Sequence, residues 1–235
     1  FGLLPSGWFT PSYSPYLKSM KNKQSHFLKG SFALLLFMIL GYVVKFYPEN
    51  LVGIDQPIQS AIRGDLPDYL TAFFTRVTVL MNTPVVTFWV GVIVLFFVWK
   101  KWYTEALLLT GSLVTTGLLV VILKHIYLRP RPALQHLVQE GGYSFPSGHS
   151  LAATLVFGSL MIVVGQRMTS QVGKVLVQFA LFLCMVTIVL SRVYVGVHYP
   201  TDVTGSMLLG FGLLQMVFPY YDRLRFEWRF KSKQK

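Results

Sequence analysis

PSGHSLAATLVFGSLMIVVG, residues 146–165, decides how the rest of the chain is read. After His149 the stretch carries no charge. At about 1.5 Å per helical residue it is long enough to cross roughly 30 Å of hydrocarbon. Its first four residues differ in kind. Pro146 ends a loop, Ser147 is a natural helix cap, Gly148 leaves the first amides open, and His149 puts a titratable ring at the mouth of the span.

Five more runs of this sort surround it, giving six at residues 27–47, 84–99, 104–124, 147–165, 175–195 and 201–219. The second is the shortest, and residues 77–81 can lengthen it. With 53% hydrophobic and 13% charged residues in 235, the chain is too apolar and too blocky for an ordinary soluble domain. The expected fold is all-α, a six-span transmembrane bundle. Its net charge of +12 sits in short clusters between apolar runs, which suits orientation in a membrane and argues against a nucleic-acid partner. Cys184 is alone, so no internal disulfide forms.

Residues 1–19 are rich in Pro, Ser and aromatic residues and precede Met20-Lys21-Asn22-Lys23, which reads as a natural start. They are expected to be an expression leader or flexible tail, with residues 20–235 a single membrane domain. Between the first two spans, Ile58, Ile62, Leu66, Tyr69, Leu70, Phe73, Val77 and Leu80 recur at helical spacing, interrupted by Pro67. One or two amphipathic helices are expected there, on the outer interface or over the site. After Pro219 aromatic and basic residues alternate, as rings and cations do at headgroup level. Small residues at 150, 154 and 158, and at 206 and 210, allow the fourth and sixth spans to approach closely.

Lysine and arginine set the orientation. Lys21, Lys23, Lys29, Lys100, Lys101, Arg167, Lys174 and the basic tail fall on one side of a six-span chain. That side is expected to be the cytoplasm, with both termini inside. The other side holds the residues that look chemical.

Those residues form three groups. Lys124 closes the third span and Arg131 follows after a helix break at Arg129-Pro130; a lysine supplies a point charge and an arginine a planar fork for phosphate oxygens. Ser147, Gly148 and His149 open the fourth span. Arg192 ends the fifth, and His198 and Asp202, four apart, meet on one face at the start of the sixth, where a carboxylate can orient an imidazole. His26, His125 and His136 have no such neighbour and are assigned no chemistry.

The blocks 124–132, 146–149 and 191–202 resemble, at every specified position, the signature of the type 2 phosphatidic acid phosphatase superfamily, which also includes bacterial acid phosphatases and vanadium haloperoxidases. The resemblance implies that His198 attacks phosphorus and becomes a phosphohistidine, with Asp202 supporting it. It implies that His149 protonates the leaving group and then activates water. Lys124, Arg131, Arg192, Ser147 and the Gly148 amide hold the phosphoryl oxygens. No metal and no cofactor are implied, and the chain has no clustered carboxylates of the kind magnesium requires.

A site at the outer interface can take a headgroup while the tails stay in the bilayer, so the expected partners are a lipid phosphate substrate and membrane lipids, with no obligatory protein partner. The small six-span form resembles bacterial phosphatidylglycerophosphate phosphatases first and undecaprenyl diphosphate phosphatases second. The expected location is the bacterial plasma membrane, with the site extracytoplasmic. Other classes make different demands. A transporter should carry polar residues mid-span, where this chain has mainly Ser and Thr. A phosphotransferase would pass phosphate from the same His198 to an alcohol, and a vanadate-dependent oxidase would reuse the pocket.

Overall fold

A computed structural model describes the backbone of residues 15–231 and the side chains of residues 23–228. All regular structure among them is helical: α1 (Pro15–Phe46), a 3₁₀ turn (Pro48–Leu51), α2 (Val52–Arg63), α3 (Asp68–Val79), α4 (Thr83–Trp99), α5 (Tyr103–Tyr127), α6 (Gly148–Arg167), α7 (Gln171–Tyr194) and α8 (Pro200–Lys231). Of the leader expected over residues 1–19, residues 1–14 lie outside the described residues, and α1 begins at Pro15.

Five helical stretches are long and apolar enough to cross a membrane: Lys23–Phe46, α5, α6, α7 and Pro200–Trp228. A sixth exists if α3 and α4, bent by 60° at Leu80-Met81-Asn82, count as one crossing. The expected second span, α4 alone, has 17 residues, about 25 Å of helix, which falls short of a bilayer core. The apolar surface faces outward, as a hydrocarbon solvent permits. Phe32 on α1, Phe88 and Leu95 on α4 and Val172 on α7 are all well exposed.

α6 is the central helix. Over half of its apolar window, 56%, is buried, against 17% for α7 and 28% for α5, and it packs against α5, α7 and α8. Its small residues are the reason it can. A Cβ added at Gly210 of α8 would lie 2.7 Å from Thr154 Cγ2, and one at Gly158 would strike Leu214. The close approach of the fourth and sixth spans is thus observed. α1 lies along α8 in turn.

α2 turns a polar stripe inward. The apolar positions Ile54 and Ile58 are exposed, and the buried stripe is polar: Asp55, Gln59 and Arg63, four residues apart. Burying this stripe is tolerable because each member is hydrogen-bonded to the segment between α7 and α8 or its surroundings.

The end opposite α2 holds a different polar cluster. Glu105 of α5 is fully buried and pairs with Arg167 and with Arg225 at 3.1 Å. The stretch after Pro219 does more there than anchor at headgroup level. α8 runs through Pro219, Tyr221 is buried with its hydroxyl donating to Gln166 Oε1 at 2.8 Å, and Tyr220 and Phe226 remain exposed.

Candidate active site

The C-terminal ends of α5 and α7 and the N-terminal ends of α6 and α8 meet at one end of the bundle, and the site forms between them. α5 stops at Tyr127 because Leu128 adopts a left-handed conformation (φ 56°), its N–H closing on Lys124 O; the break comes one residue before Arg129-Pro130. α6 starts where Ser147 caps it, the hydroxyl accepting from Ser150 N at 3.4 Å and from Ser150 Oγ at 2.9 Å. The loop before the cap is pinned by Phe145, fully buried between Phe37 and Tyr127. The Phe145–Pro146 peptide is cis.

A cavity of about 480 Å³ has Lys124, Glu140, Gly148, His149 and His198 around its mouth. It runs from there into the apolar zone between α4, α5 and α6, past Val86, Leu113, Val120 and Ala152. Two expected residues reach the mouth through neighbours. Arg192, 1% exposed, pairs with Glu140 and donates to Thr78 Oγ1 at 2.6 Å. Arg131 Nη1 lies 3.5 Å from His198 Nε2. Ser147 is wholly buried, and its hydroxyl is turned into the helix it caps.

His198 sits in the short segment between α7 and α8, also 1% exposed. Its Nδ1 lies 3.4 Å from Asp202 Oδ2, within ion-pair reach but off the hydrogen-bond direction, and finds no other acceptor. Its Nε2 faces Arg131. Burial pulls the imidazole down to about 4, opposed by Asp202 and reinforced by Arg192, so at neutral pH the ring is uncharged and one nitrogen carries a lone pair. Asp202 is itself held on all sides: Arg129 Nη1 donates at 2.5 Å, Tyr199 N at 2.9 Å, and Ser144 Oγ donates as well. Across the cavity His149 Nε2 donates to Asn82 Oδ1 at 2.9 Å and lies 3.9 Å from Glu140 Oε1.

Several members of this network were not singled out from the sequence. Arg129 is buried and bridges Asp202 and Asp55, the latter at 2.7 Å. Asp55 also accepts from Thr201 N at 2.9 Å and Thr201 Oγ1 at 2.8 Å, so α2 is tied to the start of α8. Gln59 donates to His198 O at 3.3 Å. Glu140 faces Arg192, Arg131 and His149; burial would raise its carboxyl, but the two guanidiniums outweigh burial and hold it below the usual range. Two signals were available. Asp55, Gln59 and Arg63 recur at helical spacing, and Glu140 is the one acid between Arg129 and Ser147.

The three remaining histidines bond elsewhere: Gln215 Oε1 and the Phe218 ring for His26, Val121 O and the Tyr143 ring for His125, and Pro132 O for His136. Among the described residues no three His, Cys, Asp or Glu side chains cluster as metal ligands would. Two buried side-chain nitrogens among them lack a hydrogen-bond partner, Arg192 Nε and His198 Nδ1, and both belong to this site.

A helical membrane bundle that gathers three cations and two histidines at one end matches the class its sequence blocks suggested, and a PAP2 superfamily model covers residues 105–226, more than half of the chain. The chain belongs to the PAP2 superfamily. It is 34% identical over 140 residues to phosphatidylglycerophosphatase B of Bacillus subtilis, covering 59% of this chain and 66% of that one. It is 32% identical over 105 residues to undecaprenyl-diphosphatase BcrC of the same organism, covering 43% and 49%. These matches span just under two thirds and about half of the relatives' own lengths. The crystal structure of a transmembrane PAP2 type phosphatidylglycerolphosphate phosphatase from Bacillus subtilis superposes with a TM-score of 0.71 at 28% identity, covering 88% of this chain and 98% of that one.

Proposed function

We propose that this chain is an integral membrane lipid phosphate phosphatase, and that it hydrolyses its substrate through a phosphohistidine on His198. One observation carries the reading: the cavity that holds both histidines and Lys124 continues between α4, α5 and α6 into the apolar zone. A substrate with a phosphate at one end and a hydrocarbon tail at the other matches that shape.

In the proposed mechanism His198 Nε2, neutral and directed at the cation cluster, attacks phosphorus. Asp202 stabilises the charge that develops at Nδ1–H. Lys124, Arg131, Arg192 and the first amides of α6 stabilise the equatorial oxygens, and Arg192 Nε is a donor still without an acceptor. The phosphorus–oxygen bond to the lipid breaks as His149 gives its proton to the leaving oxygen. His149 then takes a proton from water, which attacks the phosphohistidine and releases inorganic phosphate.

Orientation is read from the cations. Lys100 and Lys101 lie between α4 and α5, Arg167 ends α6 and Lys174 stands in the first turn of α7, all at the end opposite His149. With α3 and α4 as one crossing there are six spans, both termini are cytoplasmic, α2 lies on the outer face, and the site is extracytoplasmic. A bacterial plasma membrane and a single domain over residues 20–235 complete the proposal.

Phosphatidylglycerophosphate is the favoured substrate, since the phosphatidylglycerophosphatase B match is longer and higher in identity than the undecaprenyl-diphosphatase match. The second of these keeps undecaprenyl diphosphate as the alternative. The test is phosphate release from a panel of lipid monophosphates and diphosphates by purified protein in detergent and EDTA, with His198→Ala alongside. Release by the native chain and none by the variant is expected. Transfer of phosphate to an added alcohol without free phosphate would make it a phosphotransferase instead.

A further inference from the structure

Glu140 puts a second carboxylate, besides Asp202, inside a site rich in cations. It pairs with Arg192, lies 3.6 Å from Arg131 Nη2, and lies 3.9 Å from the Nε2 of His149. It is also fixed in place. Arg131 donates to the carbonyls of the next two residues, Gly141 at 2.8 Å and Gly142 at 3.1 Å, and its Nη1 ties the same guanidinium to Val197 O at 2.9 Å. The loop bearing Glu140 is thereby clamped to the segment bearing His198, so an incoming phosphate does not simply push the carboxylate away.

We propose that Glu140 is a specificity-determining residue, a fixed negative charge beside the leaving group that favours phosphomonoesters over diphosphates. The inference rests on the phosphohydrolase reading above, with His149 as the acid for the leaving oxygen. Repulsion between Glu140 and the transferred phosphoryl group is common to both substrate types and cancels between them. The leaving group is what differs. From a monoester an alcohol departs, neutral once His149 has protonated it. From a diphosphate a second phosphate departs, carrying its own charge past a carboxylate next to that histidine, in surroundings drier than bulk water.

Farnesyl monophosphate and farnesyl diphosphate share a tail and differ in what leaves the attacked phosphorus. The experiment measures kcat/KM for both with native protein, Glu140→Gln and Glu140→Asp in detergent. Glu140→Gln is expected to raise the diphosphate-to-monophosphate ratio at least tenfold, and Glu140→Asp to stay near the native ratio. An unchanged ratio in Glu140→Gln, or a loss of both activities in it, overturns the inference. If native protein releases phosphate from neither compound nor from phosphatidylglycerophosphate, the phosphohydrolase reading itself fails, which is a distinct result.

Discussion

Arg129 holds Asp202 Oδ1 at 2.5 Å with one arm of its guanidinium and Asp55 Oδ2 at 2.7 Å with the other, all three groups being buried. The pairing joins α2 to the start of α8 and fixes the carboxylate that faces His198 Nδ1. Arg129→Met leaves two buried carboxylates without their cation. Removing one partner of such a network costs about 3–5 kcal/mol. The expected outcome is a lower thermal midpoint in detergent and a loss of phosphate release of at least a hundredfold. An additional Asp55→Asn change should recover part of the midpoint, because one uncompensated charge disappears with it.

Gly196 stands at φ +81°, where side chains are disfavoured, and a Cβ there would lie 2.8 Å from Gln135 O and collide with Arg63. Gly196→Ala combines backbone strain with overpacking, together about 2–4 kcal/mol. It should displace the segment carrying His198. The check is a fall in both thermal midpoint and kcat, with Gly53→Ala, which meets open space on helix α2, as the control that lowers neither.

The pH dependence follows from the burial of His198. Its imidazole is lowered from 6.5 to about 4 in the folded protein, so between those values the unfolded chain binds the proton more readily. The contribution of His198 to stability is complete above about 6.5 and is lost as pH falls towards 4. Formation of the phosphoenzyme, which needs the neutral ring, should persist to about pH 4. It is measured as the amplitude of labelled protein trapped with an excess of substrate. An acid limb at pH 6.5 in that amplitude would contradict the assignment.

Sidedness has its own test. His136 is exposed beside the mouth of the site, and Cys184 is the one native cysteine. A His136→Cys chain in a Cys184→Ser background should react with an impermeant thiol reagent in intact cells. Reaction only after lysis would reverse the orientation.

Much of this was legible in the sequence, for reasons that differ by residue. The apolar runs marked the long helices because hydrocarbon demands length and uniformity, and α4 was seen as short because it is. Lys124, Gly148, His149 and His198 surround one cavity, and Arg131, Arg192 and Asp202 adjoin it, because helix ends on one side of a bundle cannot be far apart. The loops were harder. In α2 the apolar repeat begins at Ile58, which is exposed as an apolar face in a membrane can be, while Asp55, Gln59 and Arg63 turn in. Glu140 and Arg129 gain their meaning from partners more than fifty residues away, a relation that no local period records.

The central claim is that phosphate passes through His198. Native protein and His149→Ala, mixed briefly with labelled lipid phosphate and quenched in alkaline detergent, should carry the label on the peptide containing His198. In the variant, which lacks both the acid for the leaving oxygen and the base for water, the label should appear more slowly and, once formed, decay more slowly than in the native protein. Turnover by the native protein with no label on that peptide, or with label on another residue, would contradict the account.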